Sequence, residues 1–338
     1  MFHNNIFNHR CKKHIRPYAQ TPVILTLHSF GGIYIRLLLV LAILIAAVAF
    51  WLWWRTGGIE VALDKEALKT LPITEGVAEF SIMTYNVQAR PVFDDSKHKF
   101  NYISPLLNNY DICAIQECFK DHRRLWTAAE HPVKLYHGVL KHSFKIVGSG
   151  LAMLGKLPLV ESDGINFDAQ GDAQNWPASK GVLMGRFMAA HDMLLDVYTT
   201  HIAAGRHEES MKAKYLQGDD IIAFINRKSS PENAVVLLGD FNMRPSRGPE
   251  DREANKDNPK VIGFDRIKEA LNFRDASDEI NGPIGKEIDR ILFRPGKGCA
   301  MTALSWAYDA LEFYDPEGVS LSDHKPVMVT FRLEKIAE

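Results

Sequence analysis

The stretch AVVLLGDFN, residues 234–242, indicates most directly how this chain of 338 residues folds. Its first five residues are apolar, which predicts a short strand buried on both faces. Gly239 then marks a turn, and Asp240 and Asn242 place two polar side chains directly after the strand. Such strand ends are where proteins built on sheets assemble their functional sites.

The composition is that of a globular chain with its own hydrophobic core. Apolar residues make up 46% of the sequence and charged residues 24%, which excludes disorder and collagen. The four cysteines, at positions 11, 113, 118 and 299, form no CxxC pair, so neither a zinc cluster nor a disulfide scaffold is expected. The net charge of -1 lacks the basic excess typical of proteins that grip nucleic acid through its phosphates.

Residues 37–54 read LLLVLAILIAAVAFWLWW and carry no charge, which is long enough for a transmembrane helix. Trp51, Trp53 and Trp54 are typical of the aromatic belt at a membrane interface. A cleaved signal peptide is the alternative, because residues 47–49 form an A-x-A site. Residues 1–36 contain five lysines and arginines and no acidic residue, so the positive-inside rule predicts a cytoplasmic N-terminal segment. The rest of the chain would then be extracytoplasmic, in the periplasm or outside the cell.

Residues 55–78 read as a linker, because glycines and Pro72 interrupt a weak periodicity there. Residues 79–335 read as one catalytic domain in which strand-like runs alternate with helical periodicity. The patterns at 119–130 and 208–225 predict helices, and the polar, breaker-rich stretch 244–260 predicts a surface loop. So many strands mixed with helices predict two packed sheets with helices outside.

Polar side chains adjoin five of these strand-like runs. They are Asn86 after SIMTY, Glu117 after ICAIQ, His201 after DVYTT, Asp240 and Asn242 after VVLLG, and Asp323 and His324 before KPVMVTF. Each has a structural alternative, such as a turn at Asn86, a helix cap at Glu117 or a tight turn at Asp240. Together, carboxylates and amide oxygens without a cysteine or histidine quartet suit Mg²⁺ completed by a substrate phosphate. The set therefore predicts phosphodiester hydrolysis, with histidines able to exchange protons near neutral pH.

Seven motifs occur in a familiar order: TYNV (84–87), IQE (115–117), GSGLAML (148–154), TTH (199–201), LLGDFN (237–242), IDRILF (288–293) and LSDHKPV (321–327). This set resembles the endonuclease/exonuclease/phosphatase superfamily. The resemblance implies an α/β fold, namely a four-layer α/β sandwich of two packed mixed β-sheets flanked by helices, here preceded by one N-terminal transmembrane helix. It also implies a metal-dependent phosphoric diester hydrolase that uses Mg²⁺, with Mn²⁺ as the alternative ion.

The resemblance also implies a role for each site residue. On the metal and phosphate side these are Glu117 as the direct ligand, Asn86 as its partner, and Asn242 and Lys180 as contacts to the substrate phosphate. On the catalytic side these are Asp240 to orient or activate water, His201 to stabilise phosphate and leaving group, His324 as the catalytic histidine commonly called the general base, Asp289 to buttress it, and Asp323 near the metal or the histidine.

Two longer stretches, IQECF (115–119) and GSGLAMLGKLPL (148–159), resemble neutral sphingomyelinases. Gln88 departs from apurinic endonucleases, which carry an acidic residue there. Asn175 departs from sphingomyelinases, which place an aspartate five positions before the lysine that Lys180 matches.

A membrane anchor raises the local concentration of a lipid substrate, which favours a phospholipid. The sequence thus predicts a membrane-anchored, Mg²⁺-dependent, sphingomyelinase-like phosphodiesterase that cleaves a phospholipid headgroup phosphodiester. The aromatic segment 305–318, with Trp306, Tyr308, Phe313 and Tyr314, is a candidate for membrane contact, with an ordinary strand as its alternative. An extracytoplasmic nuclease acting on nucleic acid is the first alternative function, disfavoured because the domain is net acidic. An enzymatically inactive, membrane-tethered binding module is the second, and the sequence indicates no protein partner.

Overall fold

The computed structural model describes residues 27–55, 58–138, 145–283, 287–309 and 312–336. The chain divides into two compact units, Met1–Trp51 and Leu52–Glu338. The first contains most of helix α1 (Leu27–Arg55), in which the window Tyr34–Trp51 has a mean hydropathy of 2.5 and exposed side chains. Among the described residues it is the one helix long and apolar enough to cross a membrane, a criterion that a signal sequence also meets. Its orientation therefore stays a prediction.

The second unit alternates strands and helices. In chain order its elements are β1 (Ile59–Leu63), α2 (Lys65–Thr70), β2 (Val77–Asn86), α3 (Ser96–Leu106), β3 (Ile112–Gln116), α4 (His122–Leu125), β4 (Val133–His137), β5 (Leu151–Gly155), β6 (Leu159–Asn166), β7 (Gly181–Ala190), β8 (Met193–His201), α5 (Glu208–Lys228), β9 (Ala234–Asp240), α6 (Pro249–Ala254), α7 (Pro259–Ala270), β10 (Arg274–Asp275), α8 (Ala276–Asn281), β11 (Asp289–Arg294), β12 (Cys299–Tyr308) and β13 (Val327–Lys335).

These strands form two mixed sheets. The first has seven strands in the order β1-β4-β5-β3-β2-β13-β12, and the second has six in the order β10-β11-β9-β8-β7-β6. Each sheet contains one parallel pair among its described strands, β2 with β3 and β8 with β9. All other pairings are antiparallel.

Three apolar layers separate the sheets and helices. The central layer lies between the sheets and includes Ile82 and Phe331 from one and Val197 and Val236 from the other. A second layer packs the first sheet against α3, and a third packs the second sheet against α5 and α7. Buried apolar side chains of this size each contribute about 1.5–3 kcal/mol to folding. The expectation of a four-layer α/β sandwich is confirmed.

Three local predictions are wrong. Residues 55–78 are not a linker throughout, because β1 pairs with β4 from Ile59 to Leu63 at the edge of the first sheet. Residues 244–260 are not all loop, because prolines at the first helical positions begin α6 and α7. The helix expected at 119–130 is reduced to α4, because Asp121 before it takes a left-handed backbone conformation.

Candidate active site

The carboxyl ends of the two parallel pairs meet at one edge of the sandwich. The register aligns Asn86 with Gln116 in the first sheet and His201 with Asp240 in the second. The amide Nδ2 of Asn86 donates to Glu117 Oε1 and to Asp240 Oδ2, both at 3.1 Å. One amide therefore joins the two sheets and holds two carboxylates side by side.

Glu117 directly follows β3 and has a left-handed φ of 54°, an uncommon conformation for a residue with a side chain. Its side chain is 18% exposed, so the carboxylate borders an opening. Burial raises the pKa of Glu117, and the hydrogen bond from Asn86 opposes this rise. A strained, half-buried carboxylate at a strand end is the kind of group that functional sites retain.

Asp240 occupies the centre of the site. Its Oδ1 accepts from the backbone N–H of Asn242 at 2.9 Å, and its Oδ2 lies 3.4 Å from His201 Nε2 and 3.8 Å from His324 Nε2. Gly239 allows β9 to approach β8 closely next to Asp240, because an added Cβ at position 239 would lie 2.0 Å from the carbonyl oxygen of Thr200. Every side chain other than hydrogen would push β9 away from β8 at this point.

His324 and Asp289 form a tight pair on one side of Asp240. Asp289 begins β11 opposite Asp240, and its Oδ2 lies 2.7 Å from His324 Nδ1. Burial lowers the pKa of His324, but the hydrogen bond and charge of Asp289 outweigh it and raise the pKa to about 9. The pair thus holds the ring by Nδ1 and directs Nε2 towards Asp240.

His201 and Lys180 form a second pair on the other side. Lys180 Nζ lies 2.9 Å from His201 Nε2 and donates to the carbonyl of Ile202 at 2.8 Å. An ammonium group only donates, so His201 Nε2 accepts this hydrogen bond and the ring is neutral. Burial, then the charge of Lys180, lowers the pKa of His201 well below its usual value, in agreement with this tautomer. Lys180 is fully buried, and the cost of burying its charge lowers its pKa to about 8.

The nine site residues predicted from the sequence are brought together with one qualification. Asn242 reaches the same carbonyl as Lys180, donating from Nδ2 to Ile202 at 3.1 Å. Asp323 is exposed, and its nearest side-chain partner, Ser322 Oγ, lies 3.5 Å away. The ring of His324 is hydrogen-bonded to Asp289 instead, and Asp323 raises the pKa of His324 through its charge.

Asn175 stands in a network of its own close to Lys180. Its Nδ2 donates to Asp172 Oδ1 at 2.8 Å and to the carbonyl of Ala204 at 3.2 Å, and its Oδ1 accepts from the backbone of Ala204. The residue thus braces the segment that directly follows His201, the last residue of β8.

Sequence reasoning missed four supporting side chains, those of Ser322, Gln116, Thr84 and Thr199. Ser322 Oγ donates to the carbonyl of Asn86 at 2.6 Å and accepts from the backbone of His324, joining the two ends of the site. Gln116 receives a hydrogen bond from Thr84 and donates to Thr199 at 2.9 Å, which crosses between the sheets beneath the site. All lie inside the motifs that drew attention to their neighbours. For Thr84, Gln116 and Thr199 the available signal was a polar side chain within an apolar strand, whereas Ser322 lies in the bend before the last strand.

Two places could hold a metal ion. Asp240, Asp289 and His324 bring one ligand atom each within 4.8 Å of one another, but His324 Nδ1 is already held by Asp289, and its raised pKa favours a proton on Nε2. Glu117 instead offers a carboxylate that borders an opening beside the carboxylate of Asp240. Within the part of the chain that the structure describes, no lysine or arginine is hydrogen-bonded to it. A hard divalent cation with oxygen ligands fits this position.

The sequence profile of the endonuclease/exonuclease/phosphatase family matches residues 83–324. The chain is 26% identical over 285 residues to a sphingomyelinase of Mycobacterium tuberculosis, covering 75% of this chain and 52% of that protein. It is 25% identical over 225 residues to human sphingomyelin phosphodiesterase 2, covering 56% of this chain and 49% of the relative. The chain thus spans about half the length of the curated relatives it matches.

Solved structures of similar fold include sphingomyelinase C from Streptomyces griseocarneus, with a TM-score of 0.54, 18% identity and coverage of 75% of this chain and 99% of that one. A beta toxin of Staphylococcus aureus with bound magnesium ions matches with a TM-score of 0.53 and 16% identity, over 74% of this chain and 99% of the other. D. rerio TDP2 in complex with a single-stranded DNA product matches equally well, with a TM-score of 0.53 and 16% identity over 75% and 98% of the chains. At these identities the likeness describes the fold.

Proposed function

Because the chain belongs to the endonuclease/exonuclease/phosphatase family, we propose that it is a metal-dependent phosphodiesterase that cleaves the headgroup phosphodiester of a phospholipid. The observation that carries the proposal is the partly buried His324–Asp289 pair, which faces Glu117 across Asp240. A binding module has no need of a histidine whose free nitrogen points at a buried carboxylate. The prediction of a phosphoric diester hydrolase agrees with the relatives.

Glu117 would hold the metal ion, with Asn86 fixing its carboxylate. The donor set favours Mg²⁺, as the sequence predicts, and a similar fold binds magnesium ions. Bound there, a divalent ion supplies charge that stabilises the phosphate as the water attacks.

Asp240 and His324 would activate the water. Asp240 Oδ2 can orient the water by accepting one of its protons in a hydrogen bond, and His324 Nε2, 3.8 Å away, can accept the proton that leaves. Asp289 holds the ring through Nδ1 and stabilises the imidazolium that forms. The water would attack phosphorus directly as the bond from phosphorus to the leaving alcohol oxygen breaks. That oxygen would take up a proton from solvent, so no covalent intermediate with the protein is required.

Lys180 would supply the positive charge on the opposite side. Since His201 accepts a hydrogen bond from Lys180 and is neutral, the charge that balances the phosphate resides on the lysine rather than on the histidine. This assignment revises the role that the resemblance implied for His201. Asn242, bonded to the same carbonyl as Lys180, places a side-chain amide beside that charge.

The lipid substrate is supported by the names of the curated relatives and by the apolar helix α1. We propose that α1 anchors the protein in a membrane with its N-terminus in the cytoplasm and the second unit outside it. Nucleic acid remains the rival substrate, because a protein of similar fold binds single-stranded DNA.

The test uses the full-length protein in detergent. It is supplied with sphingomyelin in mixed micelles or with single-stranded DNA, each with Mg²⁺ and with EDTA. We expect release of phosphocholine that EDTA abolishes and that Glu117→Gln lowers about a thousandfold. Glu130→Ala, which removes an exposed glutamate outside the site, is the matched control and retains activity.

Cleavage of DNA without lipid turnover would refute the lipid substrate and identify the protein as a nuclease. Lipid turnover that survives both EDTA and Glu117→Gln would refute the metal-dependent mechanism.

A further inference from the structure

The loop after Asn86 presents two apolar side chains to solvent. Val92 is 93% exposed and Phe93 is 82% exposed, the highest values among the large apolar residues that the structure describes. Single exposed apolar residues are common on protein surfaces, but an adjacent pair at this exposure is not. We call residues 91–93 the tip.

The backbone at the tip is strained. Val92 has φ of 72°, in the left-handed region that β-branched residues rarely adopt. Such strain persists only where the surroundings enforce it, and it is common in segments that bind other molecules.

Beneath the tip, Arg90 and Asp94 form a hydrogen-bonded pair, here called the clasp, that fixes the shape of the loop. Arg90 Nε donates to Asp94 Oδ2 at 2.8 Å, and the backbone N–H of Arg90 donates to the same oxygen at 2.9 Å. Lys120 Nζ donates to the carbonyl of Asp94 at 2.6 Å, and Lys99 Nζ donates to the carbonyl of Gln88 at 3.0 Å. Both ends of the loop are therefore fixed, and the tip is held in place.

The charges at the base of the tip suit a lipid surface. Arg90, Lys99 and Lys120 meet there against two carboxylates, Asp94 and the helix cap Asp95. Apolar side chains above a base with one more cation than carboxylates match the order of a membrane, in which acyl chains lie beneath phosphate groups.

The tip also adjoins the site. It begins five residues after Asn86, and the charge of Glu117 acts on both Arg90 and Lys99. The aromatic segment 305–318, the sequence-based candidate for membrane contact, is less suited. Phe313 is buried against Tyr85 with ring centroids 5.1 Å apart, and Tyr308 stacks on Trp306.

We propose that the tip enters the surface of a lipid bilayer and thereby brings the candidate active site to its substrate. The proposal rests on the lipid substrate proposed above. A lipid surface suits the tip better than a protein partner does, because a cationic base with an apolar tip offers a protein no shaped pocket.

Insertion is measured directly on the full-length protein in phosphatidylcholine–detergent micelles that contain nitroxide-labelled lipid. With Cys11 replaced by serine, Phe93→Cys carries a fluorophore. The described native cysteines, Cys113, Cys118 and Cys299, are buried and do not compete for the label. The matched control carries the label at Val160, whose side chain is 52% exposed. Val160 lies near the start of β6, whereas Asn166 lies at the other end of that strand, the end nearest the site. We expect strong quenching at position 93 and little at position 160.

Kinetics give a second readout. Phe93→Ser is expected to weaken turnover of micellar lipid about tenfold to a hundredfold through the interfacial KM, since it removes one buried aromatic side chain from lipid. Hydrolysis of a water-soluble p-nitrophenyl phosphodiester should be unchanged, and Val160→Ser should change neither.

The outcomes separate the two proposals. Equal quenching at positions 93 and 160, or equal losses on soluble and micellar substrates, would overturn the role of the tip even if lipid is hydrolysed. Selective quenching at position 93 without lipid turnover would support the tip and reject the lipid substrate.

Discussion

The pairing of His324 with Asp289 makes a quantitative prediction for the pH dependence of turnover. Replacing Asp289 by asparagine keeps a side chain of the same size 2.7 Å from His324 Nδ1 but removes its negative charge. Against the lowering effect of burial, the pKa of His324 is raised from 6.5 to about 9 by its hydrogen bond to Asp289 and by the negative charge of Asp289. Its removal should return the pKa towards 6.5, a shift of about two units that corresponds to about 3 kcal/mol of lost imidazolium stabilisation.

The sign follows from the role of His324 as a proton acceptor, which requires the neutral ring. Because the pKa of His324 is raised to about 9, most of the ring is protonated at pH 7, so kcat/KM should rise as the pH approaches 9. In Asp289→Asn the rise should occur near pH 6.5, towards a plateau about 10²- to 10⁴-fold lower, because the ring is a weaker base and less firmly oriented.

The assay is a profile of kcat/KM between pH 5 and 10.5 on a water-soluble p-nitrophenyl phosphodiester at saturating Mg²⁺. Asp323→Asn is the matched control, since it removes an exposed carboxylate one residue from His324 that makes no hydrogen bond to the ring. It should move the profile much less. An Asp289→Asn profile with an unmoved midpoint would refute the assignment of His324 as the titrating base.

Three further predictions concern the metal position, the buried lysine and the sphingomyelinase departure. Mg²⁺ should raise the melting temperature of the full-length protein but not that of Glu117→Gln, as measured by thermal shift, and equal stabilisation of both would place the ion elsewhere. Lys180→Met should lower kcat about a hundredfold while KM changes little, as single-turnover kinetics would show, because the ammonium that balances the phosphate is lost. Asn175→Asp should destabilise the protein by about 1–3 kcal/mol in denaturant unfolding at pH 7, because it sets a carboxylate against Asp172 Oδ1 in place of a donor 2.8 Å away. A variant as stable as the native protein would contradict that hydrogen-bond assignment.

Most strands and the long helix α5 could be predicted from the sequence because local pattern specifies them. The runs at 181–189, 193–200 and 234–238 consist mostly of apolar residues, and they became β7, β8 and β9. The edge strand β1 was missed because five residues between breakers carry little periodic signal. Only the partner β4, about 70 residues later, makes Ile59–Leu63 a strand.

The candidate site followed the same division. Asn86, Glu117, His201 and Asp240 could be selected because each is a polar residue at the end of an apolar run, and the strand pairings do bring them together. The sequence could not predict the protonation states of the ionisable residues at the site. Lys180 fits a solvated loop lysine as well as a phosphate contact until it is found fully buried 2.9 Å from His201.

The sequence by itself determined the layers of the sandwich, the family and the types of side chain at the site, because apolar periodicity and short motifs are local properties of the chain. The tertiary structure alone decided which side chains share protons and where the surface is apolar. A pKa depends on burial and on charges brought from distant parts of the chain. His324 and Asp289, for example, affect each other's pKa although they lie 35 positions apart in the sequence. The exposure of Val92 and Phe93 likewise depends on a clasp and two lysines that only the folded chain brings around them.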